Sequence, residues 1–169
     1  LGYDITVSHS QAIRRTKKGY RKRAYKGMVK LLVPHEKWAS KLLEYKAIRI
    51  RRDEKGKDHW HAIHRGGFIN FTDIDILNKY NSEVRGLYNY YCIAYNASII
   101  GNFAGLMKHS MLKTFAGKYR TKVKKIKARY VKNGTFTVQY ATKRGIKEST
   151  FPRSFGKQSK PLISNEIFE

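Results

Sequence analysis

Thr72-Asp73-Ile74-Asp75-Ile76-Leu77-Asn78-Lys79-Tyr80-Asn81-Ser82-Glu83-Val84-Arg85-Gly86-Leu87-Tyr88-Asn89-Tyr90-Tyr91 reads as a long amphipathic helix with a marked start. Thr72 can cap the first turn with its hydroxyl. Asp75 lies three residues on, and Phe71 can pack across the cap onto Ile76. Ile76, Leu77, Tyr80, Val84, Leu87, Tyr88, Tyr91 and Tyr95 then recur at steps of three and four, which places them on one face. Asn81 marks the point where such a helix could break. Downstream, a second helix is expected from Ala97 to about Lys118, with Ile100, Phe103, Met107, Met111 and Thr114 on one side. Lys122–Val131 repeats the helical spacing with Val123, Ile126 and Tyr130 apolar. Asn133-Gly134 can end that helix in a left-handed conformation or turn a hairpin.

The flanks read differently. Ser8 to Lys30 is basic, contains Gly19 and Gly27, and suits a loop or edge hairpin. Met28–Val33 is a short apolar run that Pro34 ends, as a strand would. From Pro34 to about Lys46 a helix is expected, with Trp38, Leu42 and Tyr45 sharing a face. Asp53–Asp58 and Arg65-Gly66-Gly67 read as turns. Thr135–Thr142 alternates Phe136, Val138 and Tyr140 with polar residues and reads as a strand, and the stretch after Pro152 as irregular. The expected fold is therefore mainly α, a three-helix bundle with small β appendages at the N- and C-terminal ends. Its expected divisions are 1–33, a basic connecting arm, 34–132, a helical domain, and 133–169, a strand or hairpin with an irregular tail.

Charge says more about partners than about fold. Among 169 residues, 36 are Lys or Arg and 12 are Asp or Glu, a formal net charge of +24. The 41% hydrophobic and 13% aromatic content argues for a packed core and against a disordered basic tail. Two stretches, between Asp4 and Glu36 and from Val84 to Lys147, contain no acid. Ordinary solvated surfaces interleave both signs, so these stretches call for an external anion, and phosphate backbone supplies one. The candidate phosphate contacts are Arg14, Arg15, Lys17, Lys18, Arg21, Lys22 and Arg23 in the first stretch. In the second they are Arg85, Lys113, Lys118, Arg120, Lys122, Lys124, Lys125, Lys127 and Arg129. Arg85, Asn89 and Tyr90 lie off the apolar helix face, where an amide and an aromatic beside Arg suit sugar, base edges and unpaired bases of RNA.

Catalytic chemistry finds little footing. His59, His61 and His64 are the densest potential metal ligands, but no Cys lies near and their spacing suits a tetrahedral site poorly, so no metal is expected. Asp53, Glu54 and Asp58 have the character of a solvated turn, and Asp73 and Asp75 that of a helix start, which leaves no carboxylate cluster for a nuclease. Cys92, the single cysteine, sits in an apolar helical pattern as an inert thiol would. Gly101 to Gly105 suits close helix packing better than a phosphate cradle. No apolar run is long enough to span a membrane and no signal peptide is visible. Leu1 in place of Met suggests a piece of a longer chain. Two binding alternatives stand beside an RNA binder: a sequence-specific or architectural DNA-binding helical domain, with Lys122–Val131 as recognition helix, and a ribosome-associated basic protein.

Several blocks resemble the C-terminal part of group II intron-encoded reverse transcriptase/maturases. Leu1-Gly2-Tyr3-Asp4-Ile5 is similar to the segment that closes the polymerase palm, and Lys30–Pro34 to the connection into the thumb. Trp60, His64 and Arg65 match a loop pattern there. Tyr80–Tyr91 with Asn96 resembles the signature of the maturase domain, domain X. Lys113-Thr114-Phe115-Ala116-Gly117-Lys118-Tyr119 resembles its second block, with Phe115 where Leu or Ile is commoner. From about Asn133 onward the chain is similar to the start of the DNA-binding region. The resemblance adds Asn96 and Thr114 to the candidate RNA-binding residues. It implies that 1–33 ends the palm, that 34–132 is thumb and domain X, and that 133–169 begins DNA binding. The implied partners are group II intron RNA, RNA/DNA template–primer duplex and target DNA, with no membrane. No Tyr-Ala-Asp-Asp box is present, so the resemblance implies that this piece is not itself an enzyme and needs no cofactor. The parent would be an RNA-directed DNA polymerase whose carboxylates, with their Mg, lie upstream. The expected location is the bacterial cytoplasm, with mitochondrion or plastid as the alternative, since abundant Lys, Asn, Ile and Tyr suit an A+T-rich genome.

Overall fold

A computed structural model describes residues 2–8, 12–23, 27–143 and 145–161, with the Arg23 side chain left aside. The expectations at Leu1, over 9–11 and 24–26 of the basic arm, and over 162–169 lie outside these residues. The order is β1 (Asp4–Ser8), β2 (Ile13–Arg15), β3 (Arg21–Arg23), β4 (Met28–Leu32), α1 (His35–Glu44), β5 (Ile48–Arg52), β6 (Asp58–Ala62), α2 (Asp73–Tyr91), α3 (Ile100–Lys118), α4 (Val123–Tyr130), β7 (Val131–Lys132), β8 (Thr135–Thr142) and β9 (Gly145–Thr150). Short 3-10 turns at Gly66–Phe68 and Ala97–Ile99 precede α2 and α3.

The mainly α three-helix bundle is therefore incorrect. Among the described residues 41% are helical and 27% lie in strands, and the strands form four small antiparallel sheets. The largest departure is β5–β6, a hairpin inside the region expected to be helical. Ile48 pairs with Ala62 and Ile50 with Trp60 on one face, while Arg49 and Arg51 pair with His61 and His59 on the other. Gly56, at φ 77°, supplies the left-handed residue of its turn. β9 pairs with the last six residues of β8, from Thr137↔Thr150 to Thr142↔Gly145, while Thr135 and Phe136 pair with β7. Asn133-Gly134 turns β7 into β8 with both residues at positive φ, 48° and 73°.

The helix starts and faces follow the sequence closely. The Thr72 hydroxyl accepts from the Asp75 amide, capping α2 as expected. α2 runs unbroken through Asn81, whose side-chain amide instead donates to the Thr150 carbonyl at 2.9 Å and ties β9 to the helix. Ile76, Leu77, Tyr80, Val84, Leu87 and Tyr91 pack against Ile100, Phe103, Met107, Met111 and Phe115 of α3. Burying each such side chain contributes about 1.5–3 kcal/mol. Across this seam the Tyr80 hydroxyl meets those of Ser110 (2.9 Å) and Thr114 (3.0 Å), so its polar end is satisfied in the core.

Two polar clusters lock the elements together. Arg65 grips Glu83 through both terminal nitrogens, at 2.6 and 2.9 Å, with both side chains nearly buried. Its guanidinium lies 4.3 Å from the Phe68 ring centre and 5.0 Å from that of Tyr80. Asp73, in the first turn of α2, accepts from Lys118 (2.7 Å), from Tyr119 (2.6 Å) and from Tyr130. One carboxylate thus joins the start of α2 to the ends of α3 and α4.

At the N-terminal side, β1 pairs with β4 and β2 with β3, so the basic arm is an antiparallel hairpin at both ends of its described length. Its base is fixed by Tyr91 donating to the Gly2 carbonyl (2.9 Å) and by the Tyr95 amide donating to Leu31 (2.7 Å). From residue 153 to 161 the chain has no regular structure but is pinned to α2 and its C-cap: Tyr88 donates to the Gly156 carbonyl (2.7 Å) and the Gln158 amide to that of Cys92 (2.7 Å).

Candidate nucleic-acid interface

α4 is eight residues long and divides its side chains by sign of contact. Val123, Ile126 and Tyr130 face inward, while Lys124, Lys125, Lys127 and Arg129 are exposed and Lys122 occupies the N-cap position. Beside it run the C-terminal half of α3 and the segment from Trp60 to His64. Between these elements lie two adjoining depressions. The larger, of about 730 Å³, is bordered by His64, Lys113, Arg120, Thr121, Lys122 and Lys125 over a floor of Ile69, Ala116 and Gly117. The smaller, of about 380 Å³, has Trp60, Leu106, Leu112 and Val123 as apolar walls and His61, His109, Lys113 and Lys127 at its edges. Lys113 belongs to both, and its ammonium donates to the Ala62 carbonyl at 2.6 Å. Among the described residues no carboxylate borders either depression.

The electrostatics match that lining. Partial burial lowers the affinity of Lys108 for its proton, and Arg153 and Lys127 lower it further. Burial likewise depresses His109 below the usual histidine value, reinforced by Lys127, Lys108 and Lys113. Cations close enough to depress one another form a field that awaits an anion. Arg120 reaches the larger depression from a left-handed backbone at φ 46° that ends the α3–α4 corner.

Most of the candidate residues named from sequence fall into three exposed groups. Lys113, Arg120, Lys122, Lys125 and Lys127 converge on the groove, with Lys124 and Arg129 exposed on the same short helix. The Arg129 guanidinium lies over the rings of Tyr119 (5.1 Å) and Tyr130 (5.2 Å). Arg14, Arg15, Lys17, Lys18, Arg21 and Lys22 are exposed along the β2–β3 hairpin, where Arg14 faces Lys22 and Arg15 faces Arg21. Like charges directly across a strand pair oppose pairing until an anion neutralises them. Arg85 and Asn89 stand exposed one turn apart on α2.

The remaining candidates have structural partners. Thr114 is buried, accepts from the Arg65 amide (2.9 Å) and donates to the Ser110 carbonyl (3.0 Å). Lys118 is paired with Asp73. The Asn96 side-chain oxygen accepts from the Val33 amide (2.8 Å) and fixes the end of β4. Tyr90 is exposed at its edge, but one face is stacked by Tyr3 at 5.3 Å. In sequence, Trp60, His64 and Arg65 were legible as a loop pattern, and His59, His61 and His64 as a histidine concentration poorly spaced for a metal. The β5–β6 pairing sends His61 to the smaller depression, while His59 turns to Asp53 at 2.9 Å. His109 was unmarked, because its significance comes from α4 lying beside it. Among the described residues no three His, Cys, Asp or Glu side chains are grouped to hold a metal ion, and no helix is long and apolar enough to cross a membrane.

The type II intron maturase family matches residues 26–167. Over 168 residues the chain is 35% identical to the group II intron-encoded protein LtrA of Lactococcus lactis subsp. cremoris, and equally to the protein of that name from strain MG1363. Each alignment takes in 99% of this chain and 27% of the relative, so the chain spans about a quarter of the length of the proteins it matches.

Proposed function

Because the chain belongs to the type II intron maturase family, we propose that it is the RNA-binding thumb and maturase portion of a larger group II intron-encoded protein. It holds intron RNA in a splicing-competent arrangement and grips template–primer duplex during reverse transcription. The observation that carries this reading is the groove beside α4, where five cations from α3, the following corner and α4 converge and no carboxylate among the described residues borders them. RNA helices repel as they pack, and a fixed row of cations offsets that repulsion. The β2–β3 hairpin extends the cationic surface, and Arg85 with Asn89 adds a fork and an amide able to meet sugar and base edges. In this reading the chain binds and positions, and bond-making belongs to the remainder of the parent protein.

A filter-binding titration at two salt concentrations tests it, with the intron RNA flanking the gene, an unrelated RNA of equal size and a DNA duplex as probes. Contact with about 6–10 phosphates makes affinity fall about 10³–10⁵-fold between about 50 and about 200 mM salt. A preference for the intron RNA that survives at the higher salt is the expected result. Equal, salt-erased binding to all three probes reduces the chain to a charge clamp without selectivity.

A further inference from the structure

The smaller depression is unlike the rest of the cationic surface, because it combines charge with an apolar interior. A phosphate track alone needs cations on a solvated ridge. Here Trp60, Leu106, Leu112 and Val123 form walls around about 380 Å³, a volume within the range of small-ligand pockets. Lys113 and Lys127 stand at its mouth, and Lys113 also borders the larger cationic depression next door. Trp60 is held from behind by Trp38, with ring centres 5.3 Å apart, and by His35 at 5.5 Å, so its indole is a fixed wall.

The geometry points to a pocket for one unpaired nucleotide of bound RNA, its base lodged against Trp60 and Leu106 and its flanking phosphates held by Lys113 and Lys127. This rests on the RNA-binding reading above and adds to it a single-residue recognition site. The chemistry fits each part: an aromatic and aliphatic lining takes any base by its face, and ammonium groups take phosphate as point charges. His61 and His109 supply ring nitrogens at the rim for the base edge. A duplex offers no such base, since its bases are stacked and paired. The pocket therefore distinguishes a bulge or loop from a continuous helix, which the charge around it does not.

The test compares two RNA hairpins with one stem, one carrying a single bulged adenosine and one fully paired, titrated against the 169-residue chain. The bulged hairpin is expected to bind about tenfold tighter, the effect of one stacked base. Leu106→Trp, which fills the pocket without changing charge, removes that advantage and leaves the paired hairpin unaffected. A bulged 4-thiouridine is expected to photo-crosslink to residues of 60–62, 106–113 or 123–127, which decides the matter should the Leu106→Trp chain not fold. Equal affinity for the two hairpins, a proportional loss of both in Leu106→Trp, or crosslinks elsewhere overturns the pocket. In those cases salt-sensitive binding of both hairpins leaves the wider RNA-binding reading standing, whereas no binding of either sinks both. An equal gain from the same bulge in a DNA stem overturns the assignment to RNA.

Discussion

Asp73 shows how a residue readable as a helix-start acid acquires a second task in the folded chain. Burial pulls its pKa upward, but donation from Lys118, Tyr119 and Tyr130 outweighs burial and leaves the carboxyl below its ordinary 3.8. A folded pKa below the unfolded one stabilises the fold above the unfolded value and loses that contribution as pH falls through the folded value. Asp73→Asn, which keeps one acceptor and discards the charge, is expected to cost about 2–3 kcal/mol in urea unfolding near neutral pH. The gap between the two chains should narrow on acidification from about pH 5 to about pH 2, and a constant gap would mean that the charge of Asp73 contributes nothing. The first task was legible because capping is local: Thr72 and Asp75 are three residues apart. The second was not, because Tyr119 and Tyr130 lie 46 and 57 residues away. The same distance in sequence hid the roles of Thr114 and Lys118, which charge and motif placed on the RNA and whose folded partners are Arg65 and Asp73.

At the scale of elements, α4 is a helix built against its own electrostatics. Lys122, Lys124 and Lys125 crowd its N-terminal end, no acid lies in its first turn, and no side chain caps it. The positive end of a helix dipole disfavours cations. Reversing all three to Glu should therefore leave Tm unchanged or raised while it weakens RNA binding. With each lysine neutralising one phosphate, the slope of log affinity against log salt falls by about 3. A folded triple variant with an unchanged slope removes α4 from the interface. The helical period made α4 and its polar face readable in advance, since Val123, Ile126 and Tyr130 recur at helical spacing. The β5–β6 hairpin was also written in the sequence, as the alternation Ile48-Arg49-Ile50-Arg51 and the turn at Gly56, but the helical signals on either side drew the region into a bundle. β9 carried almost no signal, because Ile146 is its one large apolar residue and is exposed. Its place comes from backbone pairing with β8 and from Asn81 on α2.

The whole molecule carries 36 cations against 12 acids, and the structure commits many of those acids internally. Glu83 and Asp73 are held in half-buried pairs, while Glu44, Asp53, Asp58 and Glu148 meet Lys41, His59, Arg52 and Lys132 nearer the surface. Exposed pairs of that kind add little stability. What remains is a cationic excess spread over the β2–β3 hairpin, α2 and the groove beside α4, and this excess works against the compact state through self-repulsion. Two salt responses of opposite sign follow. Raising salt screens the repulsion and stabilises the free chain, yet the same ions compete with RNA and weaken binding. A polyanion that binds only the folded chain does at low salt what screening does at high salt. At about 100 times its Kd it adds about 2.7 kcal/mol, which for a chain of this size raises Tm by about 5–10 °C. Thermal melts with heparin, with a neutral dextran and with added salt alone separate the cases. Heparin and salt should each raise Tm and dextran should not, while heparin added to the salt-stabilised chain should gain progressively less. A Tm indifferent to heparin would mean that the cations are already neutralised within the fold, and the groove would lose its claim on phosphate.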